Sequence, residues 1–142
     1  LEFNCRMGDP ETQPIMMRLK SDLATLLDAA IDGRLDQIEA EWDRRTALAV
    51  VLAAGGYPDA PKKGAVIGAL PAPAEDLHIF HAGTHEAGGD IVVNGGRVLA
   101  VAALGDSVRM AQKRAYETIA GIHFDGMQYR RDIGWRALDR KK

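Results

Sequence analysis

A single cysteine, Cys5, stands among the 142 residues, which excludes an internal disulfide and fits a reducing compartment. Cys5 itself reads as a small core residue rather than a nucleophile, because a buried free thiol is usually inert. No run of about 18 apolar residues occurs, so no transmembrane helix is expected. The first residues carry charges in place of a signal-peptide core, and the expected compartment is cytoplasmic. Charge of one sign is also lacking: 18 basic against 20 acidic residues leave a net charge of −2. Nothing electrostatic therefore calls for a nucleic acid or an anionic membrane as partner. A phosphate-cradling Gly-rich loop between a strand and a helix is likewise missing. Gly55-Gly56, Gly88-Gly89 and Gly95-Gly96 flank short β-prone runs and read as turns. His81 and His85 lie four apart, but Gly83 between them argues against a shared helical face, and no thiol or third ligand for zinc accompanies them. His78 and His123 read as structural histidines, and the arginines of the tail, interleaved with Asp132 and Asp139, as a solvated surface.

What is present is concentrated at the start. If Leu1 to Arg6 forms a β-strand, Glu2, Asn4 and Arg6 share one face while Leu1, Phe3 and Cys5 share the other. A carboxylate and an amide oxygen two residues apart can converge on one cation, with the guanidinium reaching an anion beyond it. Hard oxygen ligands of this kind imply magnesium or manganese rather than zinc. The same alternation is also what the solvated face of any antiparallel sheet looks like, and the triplet alone leaves both readings open. The loop Gly8-Asp9-Pro10-Glu11-Thr12-Gln13 follows at once. Gly8 permits a turn or a close approach to a ligand. Asp9 and Glu11 place negative charge near a helix start, where they can cap free amides or grip an amine or hydroxyl of a substrate.

Along the rest of the chain, Pro14 can occupy the first helical position, and Ile15, Leu19, Leu23, Leu26, Leu27, Ala30 and Ile31 recur at three- and four-residue steps. One helix is expected there, ended by Gly33. A shorter helical stretch, Leu35 to Trp42, leads to a strand at Ala47 to Ala53, whose continuous apolar run suits burial on both faces. Lys63 to Leu70, Leu77 to Ala82, Asp90 to Asn94 and Arg97 to Ala103 are β-prone runs punctuated by Gly and Pro, reading as a small sheet or incomplete barrel. A last helix begins at the cap candidate Asp106, with Val108, Ala111, Ala115, Ile119 and Ile122 on one side. His123 to Lys142 shows no period. Periodicity alone gives only an α+β fold class; the bridge Leu35 to Trp42 reads as the domain boundary, dividing 1–45 from 46–142.

Several of these stretches together resemble phosphoribosylamine-glycine ligases (glycinamide ribonucleotide synthetases), ATP-grasp enzymes of purine synthesis. The resemblance rests on LEFNCRMGDPETQ at 1–13, RLKSDL at 18–23, VLAAGGYP at 51–58, FHAGT at 80–84, NGGRVL at 94–99, LGD at 104–106 and GIHFDGMQYRRDIGWRAL at 121–138. They occur in the family's order and spacing over essentially the whole chain. Met7, where a Phe is often found, and the loop Asp59 to Lys62 depart from the family pattern.

The resemblance implies that 1–45 is the end of an ATP-grasp catalytic domain, a strand plus a helix, and that 46–142 is a small β-rich domain with a packed helix. It implies ATP-dependent joining of glycine to 5-phosphoribosylamine through a glycyl phosphate, giving glycinamide ribonucleotide, ADP and phosphate. Glu2 and Asn4 match the family's metal-ligand positions for magnesium or manganese. Arg6 is the expected catalytic group for phosphate or acyl-phosphate charge, and Gly8, Asp9 and Glu11 are expected to line the substrate. A complete ligase of this type runs to about three times this length over several domains. The adenine pocket and most phosphate contacts are thus expected upstream, in a portion that would be the chain's main partner. A second reading makes the chain, taken alone, a non-catalytic packing or interaction module.

Overall fold

The structure, a computed structural model, describes residues 6–139. Among them the order is α1 (Thr12–Arg18), α2 (Leu23–Ile31), a 3-10 turn (Leu35–Gln37), β1 (Thr46–Ala53), β2 (Leu77–His81), β3 (Thr84–Ala87), β4 (Asp90–Val93), β5 (Arg97–Gly105), α3 (Val108–Ile119) and α4 (Trp135–Leu138). The α+β class expected from periodicity holds. No helix of the described residues is long and apolar enough to cross a membrane.

The organising element is β5, central in a three-stranded antiparallel sheet of order β1-β5-β2. Every residue from Val98 to Gly105 is buried, so β5, rather than β1, is the strand covered on both faces. On one face Leu48, Val50 and Leu52 of β1 join Leu99, Val101 and Ala103 of β5 and pack with Ala111, Ala115 and Ile119 of α3. These α3 positions recur at four-residue steps, as the stripe in the sequence requires. Gly105 lets the start of α3 come close: a Cβ there would collide with the backbone at Met110 and Ala111. The opposite face carries Ala47, Ala49, Ala100 and Ala102 together with Val51 and Leu104, and α1 lies along β1 and β5. A separate hairpin pairs β3 with β4. Its two-residue turn is Gly88-Gly89, both at positive φ, the combination that a tight hairpin turn demands.

The N-terminal helix differs from expectation. The three- and four-residue spacing runs unbroken from Ile15 to Ile31, yet the chain forms two helices. Leu19 is extended, and Asp22 caps α2 by accepting from the Thr25 amide at 2.9 Å. The freed backbone around Leu19 pairs instead with the 41–43 segment: the Lys20 amide donates to Glu41 at 2.9 Å and the Asp43 amide to Arg18 at 2.7 Å. An apolar stripe reports which face is apolar and does not forbid a break where a capping carboxylate is available. Gly33, at φ +67, closes α2 as expected, with the Gly33 and Arg34 amides donating back to Ala30 and Ala29.

Other expectations shift. Leu35 to Trp42 is helical only over its 3-10 turn. Lys63 to Leu70 forms no strand but one bridge, Val66 to Val92. The α3 cap is Ser107, one residue beyond Asp106. The aperiodic tail is pinned from outside. Phe124 is buried, Gln128 exchanges both backbone hydrogen bonds with Ala53, and α3 holds 130–133 through Tyr116 and Gln112.

Candidate functional site

The loop into α1 turns on Gly8. Its carbonyl accepts from both the amide and the hydroxyl of Thr12, at 3.1 and 2.5 Å. The Glu11 carboxylate folds over Gly8, where a Cβ would overlap it, so this glycine serves a close approach rather than a special backbone angle. Glu11 occupies the cap position without capping through its side chain. Asp9 does not cap either. Its carboxylate lies 3.3 Å from Arg97, and the same guanidinium nitrogen donates to the Asp9 carbonyl at 2.6 Å.

Arg97 opens β5, and its Nε donates to the Tyr57 hydroxyl at 3.0 Å. Hydrogen bonding to Tyr57, and then the Asp9 charge, raise its pKa above the ordinary arginine value against the desolvation of partial burial. Tyr57 is seated in turn. Its ring lies against Gly96, where a Cβ would overlap it, and the Gln128 side chain donates to the carbonyls of Ala54 and Tyr57 at 3.0 and 3.1 Å. Beside this arrangement a cleft of about 510 Å³ opens, walled by Pro10, Tyr57, Arg97, Gln128 and Arg130 and floored by Ala49, Val51 and Ala53 of β1.

A second polar cluster ties the end of α1 to the 43–45 segment that leads into β1, and that segment to Glu75 ahead of β2. Arg18 donates twice to the Asp43 carbonyl, at 3.1 and 2.9 Å. Arg45 grips the buried Asp43 carboxylate, with Nη2 at 2.6 Å, and also reaches Glu75 at 3.0 Å. Hydrogen bonds from the Arg45 side chain and amide lower the Asp43 pKa to about 2, despite burial acting the other way.

Of the residues singled out in the sequence, Glu2 and Asn4 lie outside the described residues. Gly8, Asp9 and Glu11 share one loop. Arg6 is exposed beside it, donating to the Met7 carbonyl at 3.3 Å and making no ion pair among the described residues. His81 and His85 sit on strands of different sheets, and His81 pairs with the Thr84 hydroxyl at 3.1 Å. No cluster of three or more His, Cys, Asp or Glu suited to a metal occurs among the described residues. Sequence reasoning missed Arg97, Tyr57 and Gln128 as partners of the loop. One signal was available: Arg97 is the only charged residue at the head of an otherwise apolar strand, directly after Gly95-Gly96.

Residues 47–136, most of the sheet and all of α3, match the family described as "Phosphoribosylglycinamide synthetase, C domain". The chain belongs to this family. Similarity to curated proteins continues beyond this match, through the loop and α1. It is 59% identical over 140 residues to a phosphoribosylamine--glycine ligase of Ralstonia nicotianae, covering 99% of this chain and 33% of that protein. It is also 59% identical over 143 residues to one of Vibrio vulnificus, covering 100% and 33%. The crystal structure of phosphoribosylamine--glycine ligase from Thermotoga maritima is 42% identical, with a TM-score of 0.74 over 93% of this chain and 32% of that one. The chain thus spans about a third of the length of these relatives.

Proposed function

We propose that the complete protein carrying this chain joins glycine to 5-phosphoribosylamine at the expense of ATP, giving glycinamide ribonucleotide, ADP and phosphate in purine synthesis. Residues 1–45 would end its ATP-grasp catalytic domain and 46–142 would form its C-terminal β-rich domain. The observation that carries this reading is the identity of 59% that runs through nearly the whole chain, loop and first helix included. The start of the family match at residue 47 supports the division, and a cytoplasmic location fits the reaction.

Such a ligation is mainly charge management. ATP transfers its terminal phosphoryl group to the glycine carboxylate, the amine of phosphoribosylamine attacks the resulting acyl phosphate, and phosphate leaves. Glu2 and Asn4, a carboxylate and an amide oxygen, form a donor set that fits magnesium or manganese. An ion held there would neutralise phosphate charge. The Arg6 guanidinium, exposed beside the loop, would meet phosphate or acyl-phosphate charge. Gly8, Asp9 and Glu11 form a substrate wall in which Asp9 is held by Arg97, leaving the Glu11 carboxylate as the group to meet a substrate amine or hydroxyl. In the complete enzyme, Glu2→Ala is expected to lower turnover far more than thermal stability; an unchanged rate would defeat the metal assignment.

For the chain alone, a packing module is the second reading. Leu27 and Ile31 of α2 and Leu35 of the 3-10 turn after it are exposed, apolar surface suited to cover by the upstream portion. A ligation assay of the chain with and without that portion added in trans separates the two readings, because activity of the chain by itself would rule out the module.

A further inference from the structure

We propose that Arg97 is a positioning residue for the ligation: by bridging the Tyr57 hydroxyl, the Asp9 carbonyl and the Asp9 carboxylate, it fixes the Gly8–Glu11 loop to the C-terminal sheet. This deepens the substrate-wall reading above and rests on it.

Both ends of the bridge are unlike in rigidity. On the sheet side, the Arg97 backbone is paired in β5, its carbonyl accepting from the Gly83 amide at 2.8 Å, and Tyr57 is wedged against Gly96 and tied by Gln128. On the loop side, no side-chain cap holds the start of α1, and the local bonds are those from Thr12 to Gly8. The connection to Arg97, spanning 88 positions of sequence, is the loop's long-range side-chain tie. A planar guanidinium suits this task because it presents several donors in a fixed fork, Nε toward Tyr57 and Nη1 toward Asp9; an ammonium offers one point charge that cannot hold both in register. The C-terminal domain, which carries neither the expected metal ligands nor Arg6, would in this way set the position of groups that face the substrate.

The test uses the complete ligase with Arg97→Ala, Arg97→Lys and Tyr57→Phe, and Arg34→Ala as a control that breaks an exposed ion pair elsewhere. Hydrogen–deuterium exchange of the segment 6–13 reads the loop directly. Arg97→Ala is expected to speed exchange there while the core strands stay protected, with Tyr57→Phe intermediate and the control unchanged. In steady-state kinetics, Arg97→Ala is expected to raise KM for glycine or phosphoribosylamine by roughly tenfold or more, leaving KM for ATP within about twofold, since small misplacements of positioning groups carry large kinetic penalties. Arg97→Lys should recover only part of that loss. Unchanged exchange in 6–13, or all KM values and the melting temperature moving together in Arg97→Ala, would overturn the proposal. An unsubstituted enzyme that forms no glycinamide ribonucleotide would refute the ligase reading instead, and the exchange measurement would still decide whether Arg97 fixes the loop.

Discussion

Two helices with the same kind of apolar spacing meet opposite fates in this molecule. In α3 the stripe Ala111, Ala115 and Ile119 is sealed against β1 and β5. In α2 only Ala29 is buried, and Ile31 stays 83% exposed. The contrast extends to the regions that hold them. Residues 46–139 fold around one core in which Val98 to Gly105 is buried without interruption. Residues 6–45 bury few side chains; they meet that core where α1 lies on β1 and β5, and through side-chain ties from Asp9 to Arg97 and from Arg45 to Glu75. Hydrophobic burial stabilises the first region and specific hydrogen bonds position the second, so substitutions should behave differently in each.

The largest effect is expected in the core. Leu52 and Phe124 are fully buried, and Leu52→Ala or Phe124→Ala should cost about 3 to 5 kcal/mol through lost burial and a residual cavity. Urea denaturation of the chain checks this; a loss below about 1 kcal/mol would mean that the core relaxes into the space, breaking the contrast. Next comes the seat of Tyr57. Gly96→Ala must push the ring away, and overpacking of this kind costs about 1 to 3 kcal/mol. If Tyr57 and Arg97 act as one unit, Arg97→Ala added to Gly96→Ala should cost less than Arg97→Ala alone, a non-additivity that a double-mutant cycle measures directly.

The polar ties predict a pH dependence that the apolar core does not. Asp43 takes up its proton at about 2 in the folded chain and near the ordinary 3.8 when unfolded. Between those values the unfolded state binds more protons, so the contribution of the Arg45 pair is complete above about pH 4 and is lost as pH falls toward 2. The melting temperature should therefore fall more steeply over that interval in the parent than in Asp43→Asn. Parallel curves would show that the pair contributes nothing to stability.

How far the sequence revealed this follows the same division. The strands at 47–53, 77–82, 90–94 and 97–103 were legible because β-branched and apolar runs bounded by Gly and Pro declare themselves locally. The α3 face was legible because its partners impose one period. The break at Leu19 was not, since it depends on a backbone pairing with Glu41 and Asp43 some twenty residues away. Nor was the tail, whose order comes from Tyr116, Gln112 and Ala53 rather than from any repeat of its own. The loop Gly8 to Glu11 stood out by its composition, but its anchor at Arg97 joins residues 88 apart, a distance that local pattern does not cross.

The smallest effect is expected at α2, and it bears most on what the exposed stripe is for. With Ile31 83% exposed, Ile31→Ser removes little burial from the chain by itself and should change its stability by less than about 0.5 kcal/mol. In the complete protein, where we propose that the upstream portion covers this face, the same substitution removes a contact of roughly 1.5 to 3 kcal/mol, and the melting temperature should drop accordingly. Equal effects in both settings would mean that α2 remains solvated in the complete protein, and that the apolar spacing of its sequence serves the helix alone.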